Sequence, residues 1–294
     1  MAEPAPAEAL RDRFRALARQ VHDADRMVRE DAADGIHQLR VAMRRARSLL
    51  ATFRVLLPDD VVPETERLRG ELRWAAGELG AVRDLEVVHG ELWLASDNGA
   101  VPTSVQRRLE RHREQAGHDA RRQVTHLLGS VRYARLLDGL DALVEEVSWE
   151  AATPDAARER LRKDWRRLRR RATAADALSP GEDPELALHE VRKAAKRARY
   201  AAEALAPAFG DRAQRLAGVA EQVQDALGEH RDTLLTRRLL HRFGVEEGAD
   251  VDAEHVFALG RMYAREERRG EESLYDYARA RAETDRKRYH RWLR

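Results

Sequence analysis

The chain has 294 residues, of which 43% are hydrophobic, enough to bury a sizeable core in one or two domains and to exclude a fully disordered chain. Its 54 basic and 52 acidic residues leave a formal charge of only +2, so the near-neutral total does not by itself identify a polyanion partner. The absence of cysteine excludes disulfides, thiolate metal sites and a cysteine nucleophile, and fits a reducing compartment.

Apolar residues recur at helical spacing from the first segment onward, as at Leu10, Phe14, Leu17 and Val21. Period-two alternation is hard to find, so the expected class is all-α. The N-terminal stretch "MAEPAPAEALRDRFRALARQ" lacks the apolar core of a signal peptide. No window approaches the roughly 18 apolar residues of a membrane helix. A cytoplasmic protein without a membrane partner is expected.

Breakers set the joints along the chain: "DAADG" before Ile36, "LLPDDVVP", "ASDNGAVPTS" around Asn98, "SWEAATP" at Trp149, "LSPGEDP" at Ser179, "APAFGD" at Pro207 and "GVEEGADVD" at Gly244. Long antiparallel helices between them suit bundles.

The chain also repeats itself. Leu10, Phe14 and Leu17 match Leu161, Trp165 and Leu168, each 151 positions on. "IHQLRVAMRRAR", from Ile36, is nearly copied as "LHEVRKAAKRAR", from Leu188, which pairs His37, Arg40, Arg44, Arg45 and Arg47 with His189, Arg192, Lys196, Arg197 and Arg199 at a shift of 152. "LGAVRD" (79–84) meets "LGEHRD" (227–232) at a shift of 148. Three colinear matches predict a duplication, with halves at 1–152 and 153–294 forming two helical bundles related by a pseudo-twofold axis.

On a helix, His37, Arg40, Arg44 and Arg47 share an arc of roughly 80°, as do His189, Arg192, Lys196 and Arg199. The opposite arcs carry Leu39, Met43, Ala46, Leu50 and Phe53 in the first copy, and Val191, Ala195, Ala198, Ala202 and Leu205 in the second. Each helix is therefore expected to be core on one side and cationic on the other. Like charges at i,i+4 repel. A ladder of them without interleaved carboxylates suits an extended polyanion that neutralises it, with Arg forks, Lys and His as donors.

The segments "HQLRVAMRRARSLLATF", "LGAVRDLEVV", "LHEVRKAAKRARYAAEAL" and "LGEHRDTLL" resemble, in order, the signature segments of the CHAD family, the conserved histidine α-helical domain. That resemblance implies two four-helix subdomains around a basic central cavity, and binding of inorganic polyphosphate with targeting to polyphosphate granules. It carries the family's basic positions onto His37, Arg40, Arg44, Arg47, His189, Arg192, Lys193, Lys196 and Arg199. Two departures stand out: Val41 occupies the position of Lys193 in the other copy, and no triphosphate-tunnel domain of the kind often fused to this family accompanies these segments.

Other candidates carry two readings each. Arg83 and Arg231, each followed by aspartate (Asp84, Asp232), extend the basic surface or form structural ion pairs. Tyr200 reaches the ligand through its hydroxyl or packs between helices. His112, His118 and His126 have spacings unsuited to a ligand pair, and the single Glu-x-x-His, Glu86 to His89, is one short of a di-iron bundle, so no metal and no cofactor is expected. His230 and His241 are read as structural. No nucleophile with its base and no Walker-type loop stands out, so no catalytic residues and no enzyme activity are expected. With 5% aromatic residues, base stacking is poorly provided for, and nucleic acid is the disfavoured alternative partner. A metal-dependent polyphosphatase ranks behind it.

Overall fold

Every regular element among the described residues is helical, as the periodicity predicts. The computed structural model describes the backbone of residues 4–96, 103–245 and 253–294; side chains are described for these except 81–96, 103–106, 108–109, 112–113, 115–117, 120, 243, 245 and 255. The joints expected around Asn98 and after Gly244 fall on residues 97–102 and 246–252, outside that set.

In chain order the helices are α1 (Pro6–Arg29), α2 (Gly35–Phe53), α3 (Val62–Ser96), α4 (Thr103–Leu128), α5 (Val131–Glu146), α6 (Pro154–Asp176), α7 (Pro184–Phe209), α8 (Asp211–Val245), α9 (Ala253–Thr284) and the short α10 (Lys287–His290). Single 3-10 turns follow α2 (Arg54–Leu56) and α10 (Arg291–Leu293). Proline opens α1, α6 and α7, where its missing N–H costs nothing. Caps fix the starts: Thr153 Oγ1 accepts from the Ala156 N–H at 3.2 Å, and the Asp183 carboxylate accepts from the Glu185 and Leu186 N–H groups.

Two joints differ from the breaker pattern. Gly129 and Ser130 interrupt what the pattern leaves continuous, because the Ser130 hydroxyl caps α5 through the Tyr133 N–H. Pro207 does not end α7, which continues to Phe209 and stops at Gly210, whose φ of 56° suits a residue without Cβ.

Helices consecutive in the chain pack on one another from α1 to α3 and from α6 to α9. Across the halves, α7 packs on α1 and α2, α2 also touches α6, and α3 touches α8. One continuous apolar core runs through both halves. The repeated anchors lie in it: Leu10, Phe14, Leu17, Leu161, Trp165 and Leu168 are all at most 2% exposed. Each such side chain contributes about 1.5–3 kcal/mol by leaving water. The connector between the halves is pinned as well, since Trp149 meets Phe14 and Phe53 edge-on at centroid distances of 6.4 and 6.5 Å. No helix among the described residues is long and apolar enough to cross a membrane.

Candidate functional site

The apolar arcs of α2 and α7 are buried throughout, with Leu39, Met43, Ala46, Leu50 and Phe53 matched by Val191, Ala195, Ala198, Ala202 and Leu205. Burying one arc of each helix fixes where the opposite arc points. Because α2 and α7 pack together, their basic arcs meet.

Lys196 sits at the centre of that meeting. Burial pushes its ammonium down to about 6, and Arg44, Arg192, Arg40 and Arg231 push in the same direction. Arg40 and Arg44 come from α2, Arg192 from α7 and Arg231 from α8. Among the described residues no carboxylate lies within ion-pairing reach of Lys196 or Arg44, and the Arg44 Nε is buried without a hydrogen-bond partner. His189 lies on the rim, exposed, with its imidazole below the ordinary range through partial burial and the charges of Lys193 and Arg231. His37 stands one turn ahead of Arg40 on α2, half-buried.

The two Leu-Gly motifs have a shared role that the sequence pattern does not announce. The Arg40 guanidinium lies over Gly80 of α3, with Nη1 donating to the Gly80 carbonyl at 3.3 Å. Arg192 lies over Gly228 of α8, so that a Cβ there would stand 3.1 Å from Nη2, against 3.7 Å from Arg40 Cζ for one at Gly80. Absence of a side chain at both positions lets an arginine of the neighbouring helix rest on the helix backbone. Asp232, the aspartate of the second "RD", supports the Arg192 charge, whereas Arg231 faces Lys196, Arg192 and His189. Arg83 lies on α3; its side chain and that of Asp84 are outside the described residues.

Arg197, Arg199 and Lys193 of the repeated motif are already paired with carboxylates. Arg197 Nε pairs with Asp164 of α6 at 2.8 Å, Nη2 donates to the Ala51 carbonyl of α2 at 3.3 Å, and Thr52 donates to the same buried aspartate. This arginine fastens α2, α6 and α7 together. Its counterpart Arg45 lies near Arg13 of α1, which lies 3.8 Å from Glu203 of α7, and is seated 5.4 Å from the centroid of the Tyr200 ring. Arg199 is held by Glu203 at 2.6 Å and Glu221 at 2.7 Å, and Lys193 by Glu190 at 2.6 Å. Tyr200 is 7% exposed and sits between the Arg45 and Arg199 guanidinia, which places its ring in the packing between helices.

Arg47 extends the cationic surface in a direction that the motif alone does not reveal. Burial, with Arg73, Arg69 and Arg44 as neighbours, lowers its pKa. Arg69 and Arg73 lie one turn apart on α3; their i,i+4 spacing beside a paired basic helix was the available signal. Arg69 is paired with Glu66 at 2.6 Å.

Of the histidines singled out for metal, the side chains of His118 and His126 are described, and those of His112, Glu86 and His89 are not. Among the described residues no group of three His, Asp or Glu side chains converges to hold a metal ion. His230 Nδ1 lies 3.3 Å from the Gly270 carbonyl, which ties α8 to α9.

Comparison with known proteins is consistent with this construction. The family model of the CHAD domain matches residues 8–241. Two uncharacterised proteins of Mycobacterium tuberculosis, from strains CDC 1551 and H37Rv, are each 35% identical over 266 residues, covering 86% of this chain and 49% of theirs. The chain thus spans about half the length of the curated relatives it matches. In fold it is similar to PptA from Streptomyces chartreusis, with a TM-score of 0.73, 24% identity, and 94% and 99% of the two chains covered. The CHAD domain from the plant Ricinus communis gives 0.68, 24%, and 96% and 93%. With the matched family model and these relatives alongside the two histidine-led basic helices, the chain belongs to the CHAD family.

Proposed function

We propose that this chain binds inorganic polyphosphate in a basic groove where α2 and α7 meet, and that it serves as a cytoplasmic polyphosphate-granule protein. The observation that carries this reading is Lys196, buried among four arginines from three helices with no carboxylate partner among the described residues. Such repulsion destabilises the fold unless an anion relieves it, and a line of cations along two helices suits a chain of phosphates better than a single small anion. In this reading Arg40, Arg44, Arg192, Lys196 and Arg231 form the floor, His37, Arg47, His189 and Lys193 the rim, and Arg197 and Tyr200 the scaffold behind. Arg45 and Arg199 sit at its margin, where Tyr200 and the carboxylates engage them. Family membership supplies the ligand class.

The same proposal treats the two halves as an ancient duplication. Support comes from the paired glycines under Arg40 and Arg192, and from the exchanged contacts of α1 with α7 and α6 with α2. It also treats the protein as a holder rather than a hydrolase.

Calorimetric titration with long-chain polyphosphate at two salt concentrations tests the function. The expected result is salt-sensitive binding, preferred over a matched RNA and lost in Arg44→Glu/Lys196→Glu with helicity intact. Undiminished binding by that variant refutes the assigned groove, RNA binding at equal affinity refutes the ligand class, and orthophosphate release on adding divalent metal refutes the holder role.

A further inference from the structure

Away from the α2 and α7 groove, α6 and the C-terminal turn enclose a small cavity of about 140 Å³. Arg162, Trp165, Arg166 and Arg169 line it from successive turns of α6, and His290 and Arg294 from the opposite wall. Three polar atoms of these side chains are buried without a hydrogen-bond partner: Trp165 Nε1, Arg162 Nε and His290 Nε2. Trp165 is only 2% exposed, so its indole N–H has lost water without gaining an acceptor.

Charge in the cavity is predominantly positive. Arg162 is ion-paired with Glu159, and Arg169 with Asp285 at 2.6 Å, whereas Arg166 has no carboxylate partner among the described residues. Burial and the charges of Arg169 and Arg294 hold the His290 imidazole below its ordinary range, against a hydrogen bond with the Asp285 backbone. Indole and guanidinium groups can only donate, so the cavity wants a ligand rich in acceptors. At ~30 Å³ per water, the volume equals a few waters, well short of the roughly 300 Å³ or more of drug-sized pockets. An indole N–H and arginine forks line the cavity beside the unpartnered His290 Nε2, a set that suits a tetrahedral oxyanion.

We propose that this cavity is a second anion site, separate from the Lys196 groove, which takes a single tetrahedral phosphoryl group: orthophosphate or the terminal group of a phosphate chain. It goes beyond the groove assignment and stands on different residues, so either can fail alone.

The test is a two-dimensional proton–nitrogen spectrum of the indole groups in the full chain. Five tryptophans give five indole signals, and Trp165→Phe assigns the relevant one. Phe14 fills the matching place in the first repeat, so a phenyl ring is a conservative replacement. Orthophosphate, added at constant ionic strength with chloride as balance, should shift the Trp165 signal saturably. Arg166→Glu, at an exposed position, should weaken that response at least tenfold, and Arg44→Glu/Lys196→Glu should leave it unchanged. A response only to polyphosphate that scales with chain ends assigns the site to the terminal group. A Trp165 signal unmoved by both ligands, moved equally by chloride, or equally responsive in Arg166→Glu overturns the proposal.

Discussion

Binding of a polyanion at the groove should draw a proton from solvent onto Lys196. In the free protein burial and the four neighbouring arginines bring its pKa to about 6, so at pH 7 only about one-tenth of the molecules carry that charge. The charges that face it come from three helices: Arg40 and Arg44 on α2, Arg192 on α7, and Arg231 on α8. Phosphate oxygens reverse the balance and raise the pKa, so complex formation at pH 7 takes up about 0.9 proton. Affinity should then be flat below pH 6 and weaken by up to about tenfold per unit as pH rises from 7 to 9. Calorimetry in buffers of different ionisation enthalpy reads the uptake directly. Long chains keep terminal phosphates a minor contributor, Lys196→Met gives the background, and His189→Gln removes the imidazole's share. An uptake near zero, or the same uptake in Lys196→Met, would refute the placement of Lys196 at the ligand.

Lys196→Met should also stabilise the free protein while weakening binding. The unfolded chain keeps this proton up to about pH 10, and the folded chain releases it near 6. The penalty is therefore full below pH 6 and fades as pH rises towards 10. Removing it should add on the order of 4 kcal/mol at pH 7, or roughly 8 °C in Tm by thermal melting, and an unchanged or lower Tm counts against it. Arg197→Met should act in the opposite direction, costing about 3 kcal/mol in urea denaturation because Asp164 is left buried without its partner; a shift under about 1 kcal/mol contradicts a fastening role. The glycine pair should split. Gly80→Ala meets Arg40 at ordinary contact distance and should stabilise by up to about 1 kcal/mol without altering affinity. Gly228→Ala crowds Arg192 at 3.1 Å and should weaken polyphosphate binding severalfold, an outcome that equal affinities in calorimetry would exclude.

The all-helical fold was legible because apolar residues recur at helical spacing along this chain, and all ten residues assigned to the apolar arcs of α2 and α7 are buried. Arg40, Arg44, Arg192 and Lys196 were legible as one face for the same geometric reason. Which cations remain available was not. Arg197 occupies the same helical pattern as its neighbours, and only the approach of Asp164, a residue of α6, removes it from the groove. Arg199 is neutralised partly by Glu203, visible at i+4, and partly by Glu221 of α8, which no local pattern reports. Arg69 and Arg73 belong to a helix of mixed charge, so their convergence on Arg47 depends on tertiary packing. The break before α5 was missed because one hydroxyl cap at Ser130 outweighs a locally continuous helical pattern.

The most direct measurement is a crystal structure of the protein with polyphosphate of defined length. A phosphate chain lying along α2 and α7, with oxygens within hydrogen-bond distance of Arg40, Arg44, Arg192 and Lys196, is the predicted result. A chain bound on another face, with Lys196 still enclosed by its arginines and untouched, would contradict the groove as the binding site.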